Sequence, residues 1–116
     1  MKFLCLVYFE PAATAALSAG ERTTLGHDSM AYDKQLGASG HYIVAEALQP
    51  VTTARTIRVR RGKTSSSDGP FAETKEQLGG FILINARDMD EALKIAAGIP
   101  LAKFGSIGVR PVMQFD

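Results

Sequence analysis

The stretches Phe3-Leu-Cys-Leu-Val-Tyr-Phe9 and Phe81-Ile-Leu-Ile84 decide the fold. Both are short runs of aliphatic and aromatic residues, the first closed by Glu10-Pro11 and the second opened by Gly79-Gly80, which is the pattern of buried strands. Side chains alternate between the faces of a strand, so Phe3, Cys5, Val7 and Phe9 point one way and Leu4, Leu6 and Tyr8 the other. In the second run Phe81 and Leu83 oppose Ile82 and Ile84. Both strands are therefore apolar on both faces, as central strands of a sheet covered on two sides would be.

Outward from these strands, Ser18-Ala-Gly-Glu21 has capping-box spacing, and Leu25, Tyr32 and Leu36 follow at helical spacing, with Gly37 or Gly40 as a stop. This predicts a helix over Ala19 to Ala38. His41 to Leu48 reads as a strand closed by Gln49-Pro50. Thr56 to Arg60 alternates Ile57 and Val59 against Thr56, Arg58 and Arg60, and Arg61-Gly62-Lys63 turns it into a hairpin with Thr64 to Ser67. After a polar loop from Asp68 to Gln77, a strand runs over Phe81 to Ala86. A second capping box, Asp88-Met-Asp-Glu91, opens a helix with Met89, Ala92, Leu93 and Ala96 on one face, ending at Gly98. The last strand is expected over Ile107 to Phe115. Pro111 cannot donate to a ladder, so that strand is an edge or carries a bulge.

The order βαβ–hairpin–βαβ predicts one α+β domain over residues 1–116, a ferredoxin-like antiparallel sheet with two helices on one face. The other face is left apolar and larger than a monomer normally exposes. Its simplest cover is the same face of a second copy across a two-fold axis, so a homodimer with paired sheets is expected.

Apolar residues make up 46% of the chain, charged residues 22%, and the net charge is +1. No bulk field recruits nucleic acid or an anionic membrane, and neither is expected as a partner. Arg55, Arg58, Arg60, Arg61 and Lys63 do gather locally, as on a solvated hairpin at a sheet edge. The single cysteine, Cys5, lies between Leu4 and Leu6 and reads as a core residue in a reducing compartment. Phe3 to Phe9 is short for a leader, and no other run approaches the roughly 20 apolar residues of a membrane span, so a cytoplasmic location is expected. The two histidines and scattered carboxylates show no metal-ligand spacing. There is also no phosphate-cradling loop, catalytic triad or dinucleotide fingerprint, so neither metal nor cofactor is expected.

The block Asp68-Gly-Pro-Phe-Ala-Glu-Thr-Lys-Glu-Gln-Leu-Gly-Gly-Phe81 resembles the signature of the DGPF branch of YCII-related proteins. The resemblance extends to Leu48-Gln49-Pro50, Asp90-Glu91-Ala92, Gly105-Ser106 and Arg110-Pro111-Val112. It implies a ferredoxin-like protomer in a dimeric α+β barrel. Members of that branch are often encoded beside extracytoplasmic-function sigma factors, and wider relatives resemble muconolactone isomerases or dehalogenating lyases. Two departures stand out. Family members with presumed chemistry carry a His on the first helix and an Asp-Pro pair after the second. Matching Tyr32, Leu36 and Gly40 to that pattern puts Ser29 at the first position and Ile99-Pro100 at the second. The family's acid–base pair is therefore absent. Gly108 also stands where many DGPF proteins have Glu before Val-Arg-Pro.

Candidate chemistry falls in two groups. Asp68, Glu73 and Lys75, with Glu76, concentrate ionisable groups in one loop, which suits a carboxylate base with a lysine as electrophile or anion clamp. The plainer reading is an Asx turn at Asp68 with solvated neighbours. Arg110 has parity opposite to Ile107 and Val109, facing the cavity between paired sheets, where with Glu46 it would anchor a ligand carboxylate or bridge the dimer. Tyr32 on the helix stripe and His27, which points away from that stripe, complete the ligand-binding candidates. Two functions remain open. One is a small-molecule protein, an organic acid being the expected ligand class, with cofactor-free isomerase or lyase activity in the dimer cavity. The other is a non-catalytic regulatory module partnered with a sigma factor, an idea that rests on the family association alone.

Overall fold

In the computed structural model, which describes residues 1–115, nine elements follow in order. They are β1 (Lys2–Phe9), α1 (Pro11–Ala15), α2 (Ala19–Ala38), β2 (Tyr42–Ala47), β3 (Arg55–Arg60), β4 (Lys63–Asp68), β5 (Gln77–Asn85), α3 (Met89–Ala97) and β6 (Gly105–Pro111). Single 3-10 turns lie at Val51–Thr53 and Pro100–Lys103.

The main sheet has the order β2-β5-β1-β6 with every neighbouring pair antiparallel. With α2 and α3 on one side, this is the ferredoxin-like α+β arrangement that the strand patterns predict. The two doubly apolar strands lie side by side at the centre, with Phe3 opposite Ile84 and Cys5 opposite Ile82. These four, with Val7, face the helices and meet Leu36 of α2 and Ala92, Ile95 and Ala96 of α3 in the core. The Cys5 thiol is pushed up to about 11 by burial, as befits a core residue rather than a nucleophile. On the opposite side Leu4, Leu6, Tyr8, Phe81 and Leu83 stay half-exposed. The Cα envelope is only 18 Å thick along its shortest axis, room for a sheet and one helical layer.

The helix starts match their sequence signals. Ser18 Oγ accepts from the Glu21 amide at 3.1 Å while the Glu21 carboxylate accepts from the Ser18 amide at 2.9 Å. Asp88 caps α3 through the Glu91 amide, but the Glu91 carboxylate reaches back one residue further, to the Arg87 amide, and also meets His41. Those contacts hold the Glu91 carboxyl below the usual range, the Arg87 amide being the main cause.

Several expectations are corrected. α1 was not anticipated; Pro11, which stops β1, also supplies a favourable first helical position. The expected stripe on α3 is rotated: Ala92 and Ala96 are buried as expected, but with Ile95 in place of Met89 and Leu93, which are exposed. β5 starts at Gln77 rather than Phe81, since Gly79 absorbs a register shift opposite Val7 and Tyr8. Gly80 lets β2 approach, for a Cβ there would lie 2.7 Å from the Glu46 carbonyl oxygen. β6 is an edge strand, as Pro111 requires, but begins at Gly105 and ends at Pro111 rather than running from Ile107 to Phe115. The β3–β4 hairpin is a separate two-stranded ribbon and not an edge of the main sheet.

Candidate functional site

Ser29, Tyr32 and Asp33 occupy one side of α2 at i, i+3 and i+4 spacing. They face Ala45 to Ala47 at the end of β2, Gly79 to Ile82 of β5, and the turn Ile99-Pro100-Leu101. The cleft between them has a volume of about 150 Å³. A cavity of about that size can take up a benzene-sized ring, while drug-sized ligands need about 300 Å³ or more.

Asp33 is the distinctive group. Among the described residues no salt bridge engages it, and its half-buried position raises its carboxyl above the usual range through desolvation. A carboxylate kept partly dry and unpaired is a stronger base than a solvated one. Tyr32 contributes its ring to the cleft, but its hydroxyl is committed elsewhere, donating to the Ile95 carbonyl at 2.6 Å and tying α2 to α3. Burial, with a lesser influence of Cys5, pushes that phenol up. Gly98 makes the link possible, because a Cβ there would strike the Tyr32 hydroxyl.

The two positions at which the family resemblance expects a His and an Asp, here Ser29 and Ile99, therefore converge on one cleft. At those positions this chain has a hydroxyl and an isoleucine. Asp33, one helical turn past Ser29, puts a carboxylate on the α2 wall of the cleft. The sequence reading did not select Asp33. The available signal was its i+4 relation to Ser29 and its adjacency to Tyr32.

The loop candidates do not come together. Asp68, Glu73 and Lys75 are all exposed. Asp68 ends β4 and lies 3.6 Å from Arg55, with both side chains largely in water, an arrangement worth little energetically. The neutral part of the loop is what encloses space. Pro70, Phe71, Thr74 and Leu78 join Tyr8 and Leu48 around a second cavity of about 490 Å³, which has no charged residue in its wall. Glu76 accepts from Ser106 Oγ at 2.9 Å and fastens the loop to β6.

Register puts Arg110 opposite Leu4 and Glu46 opposite Phe81, so both share the open face of the sheet, but they lie on its opposite edge strands. Three strand spacings separate those edges by about 14 Å, so the two do not pair within one chain. His27 is exposed on α2 and outside the cleft. His41 joins Ser39 at 2.7 Å and Glu91 at 3.3 Å, a structural link between the start of β2 and α3. Among the described residues no cluster of three potential ligands could hold a metal ion, and no helix is long and apolar enough to cross a membrane.

Fold and cleft together define a ferredoxin-like α+β protein with a recess of single-ring size at the helix–sheet boundary. The YCII-related domain model matches residues 1–116, and the chain belongs to that family. An uncharacterised protein of Rhizobium meliloti (strain 1021) is 39% identical over 117 residues, covering 99% of this chain and 94% of that protein. Among solved structures, the 5-chloro-2-hydroxyhydroquinone dehydrochlorinase TftG of Burkholderia phenoliruptrix AC1100, in complex with 2,5-dihydroxybenzoquinone, is similar with a TM-score of 0.57. It is 19% identical, with 99% of this chain and 96% of that chain covered. At that identity the likeness shows the shared fold.

Proposed function

We propose that this protein binds a small cyclic organic molecule in the Asp33 cleft and acts on it as a cofactor-free isomerase or lyase. The observation that carries the proposal is Asp33 itself, an unpaired, partly desolvated carboxylate in a ring-sized recess. Asp33 takes a proton from a carbon beside a carbonyl, and the electron pair moves into the adjacent bond. In a lyase reaction that pair expels a leaving group with its bonding electrons; in an isomerisation the proton returns from Asp33 to another carbon. Ser29, which lines the same cleft, hydrogen-bonds the substrate oxygen that gains charge. The fold shared with an enzyme that carries a quinone ligand supports the same substrate class. The working particle is a two-fold dimer closed through the open sheet face, with Arg110 and Glu46 along its seam.

Melting curves with 2,5-dihydroxybenzoquinone, substituted hydroquinones and small lactones test the proposal. At about 100 times its Kd, a ligand adds roughly 2.7 kcal/mol, a rise on the order of 10 °C for a chain of this size. The rise is expected to vanish in Ser29→Phe, which fills the recess. For any compound that is turned over, Asp33→Asn is expected to slow the reaction about 100-fold or more. A panel without a single shift, or a shift that survives Ser29→Phe, would overturn the assignment.

A further inference from the structure

The β3–β4 ribbon forms no ladder with the main sheet, and its base is closed between its own two legs, where the Gly69 amide donates to the Ala54 carbonyl at 2.7 Å and Thr56 Oγ1 to the Gly69 carbonyl at 2.9 Å. Its tip is a tight two-residue turn with both Arg61 and Gly62 at positive φ. The radius of gyration, 16.2 Å, exceeds the roughly 13 Å of a compact domain of this length, as a projecting ribbon requires. Two-stranded hairpins alone in water are marginal. This one carries a further burden, since Arg60 lies directly opposite Lys63 and like charges across a ladder destabilise it.

The ribbon's two faces differ. Ile57 opposite Ser66 and Val59 opposite Thr64 share one face, and these two apolar side chains are 69% and 58% exposed. Arg58, Arg60 and Lys63 share the other. Between Arg55 and Asp68 there are five cations and one anion, which leaves eight cations and eleven anions for the remainder of the chain. A partner that completes the ribbon must therefore offer apolar surface and an excess of carboxylates together. Nucleic acid would neutralise the cations and leave Ile57 and Val59 wet. The remainder of this chain offers both, with exposed apolar side chains beyond the sheet face, Leu48 and Phe71 among them, and a net negative charge that nearly balances the ribbon.

We infer that the ribbon is an arm that clasps a second copy of the chain, laying Ile57 and Val59 on the partner's apolar surface with its cations against the partner's carboxylates. The inference rests on the reading of the open sheet face as a two-fold interface and extends that interface beyond the sheet.

Sedimentation equilibrium of the full chain tests it with three variants: Ile57→Ser/Val59→Ser, Arg58→Glu/Arg60→Glu and Leu6→Lys on the open face. The arm positions are exposed, so circular dichroism should show unchanged secondary structure in both arm variants. Each arm variant is expected to raise the dimer dissociation constant about tenfold or more, and added salt is expected to weaken the wild-type dimer. Dissociation of the arm variants while Leu6→Lys stays dimeric would keep the arm and discard the sheet-face reading. The reverse pattern, arm variants as tightly dimeric as wild type while Leu6→Lys dissociates, would overturn the arm alone. A wild-type chain that is monomeric at all concentrations would overturn both, and wild-type co-sedimentation with added duplex DNA that the arm variants lose without change in dimerisation would also overturn the arm.

Discussion

On the helix side of β1 and β5, Phe3, Cys5, Ile82 and Ile84 keep at most 8% of their surface, whereas Leu4, Leu6, Phe81 and Leu83 on the same strands remain half-exposed. The two sets are of similar apolar character and differ only in what lies over them. Burial is worth about 25 cal/mol per Å² of apolar surface, so the open side holds stabilisation that one copy of the chain does not collect. The contrast supports the proposal of two jobs for one sheet, in which the helix side makes the protomer and the other side serves association.

Substituting neighbours on β1 breaks or sharpens the contrast. Phe3→Ala removes a side chain that is only 1% exposed and is expected to cost about 3–5 kcal/mol in urea unfolding. Leu4→Ala, measured at concentrations low enough to dissociate any dimer, is expected to cost clearly less than Phe3→Ala, because Leu4 is only partly buried in one chain. Equal costs would mean that the open face is covered within one chain.

The smaller effect concerns the cleft. The Asp33 carboxyl is raised by burial, so the folded state favours the neutral acid. Its contribution to stability is complete below the unfolded value of about 3.9 and is lost as pH rises through the higher folded value. Asp33→Asn is therefore expected to melt slightly above wild type at pH 7, with the difference closing below about pH 4. A variant that melts lower at pH 7 would place Asp33 in a stabilising contact and remove the argument for a strained base.

Much of the fold was legible because short-range chemistry fixes it. The alternation in Phe3 to Phe9, the capping box at Ser18 and Glu21, and the edge character forced by Pro111 each depend on a few neighbouring residues. What escaped depends on distant ones. The bulge at Gly79 appears only when β5 is paired with β1, and the rotated stripe on α3 is decided by what the sheet presents to it. The ribbon reads as a sheet edge until pairing is known, since its sequence is that of any charged hairpin.

The site was less legible. Parity points Arg110 away from Ile107 and Val109, yet only the strand order shows that the full width of the sheet separates it from Glu46. The Asp68 to Phe81 block draws attention through its charges, while the enclosed space lies against its neutral residues Pro70, Phe71 and Leu78. Ser29 and Ile99 looked like losses one at a time. Only the folded chain brings them together and shows Asp33 on the same wall.

The central claim is that the face bearing Leu4, Leu6, Tyr8, Phe81 and Leu83 is closed by a second copy of the chain. Sedimentation equilibrium of the wild type against Leu6→Lys tests it most directly. The account predicts a wild-type particle of twice the chain mass and a folded Leu6→Lys monomer. A wild type with the mass of one chain across the micromolar range, or a Leu6→Lys variant as dimeric as wild type, would contradict it.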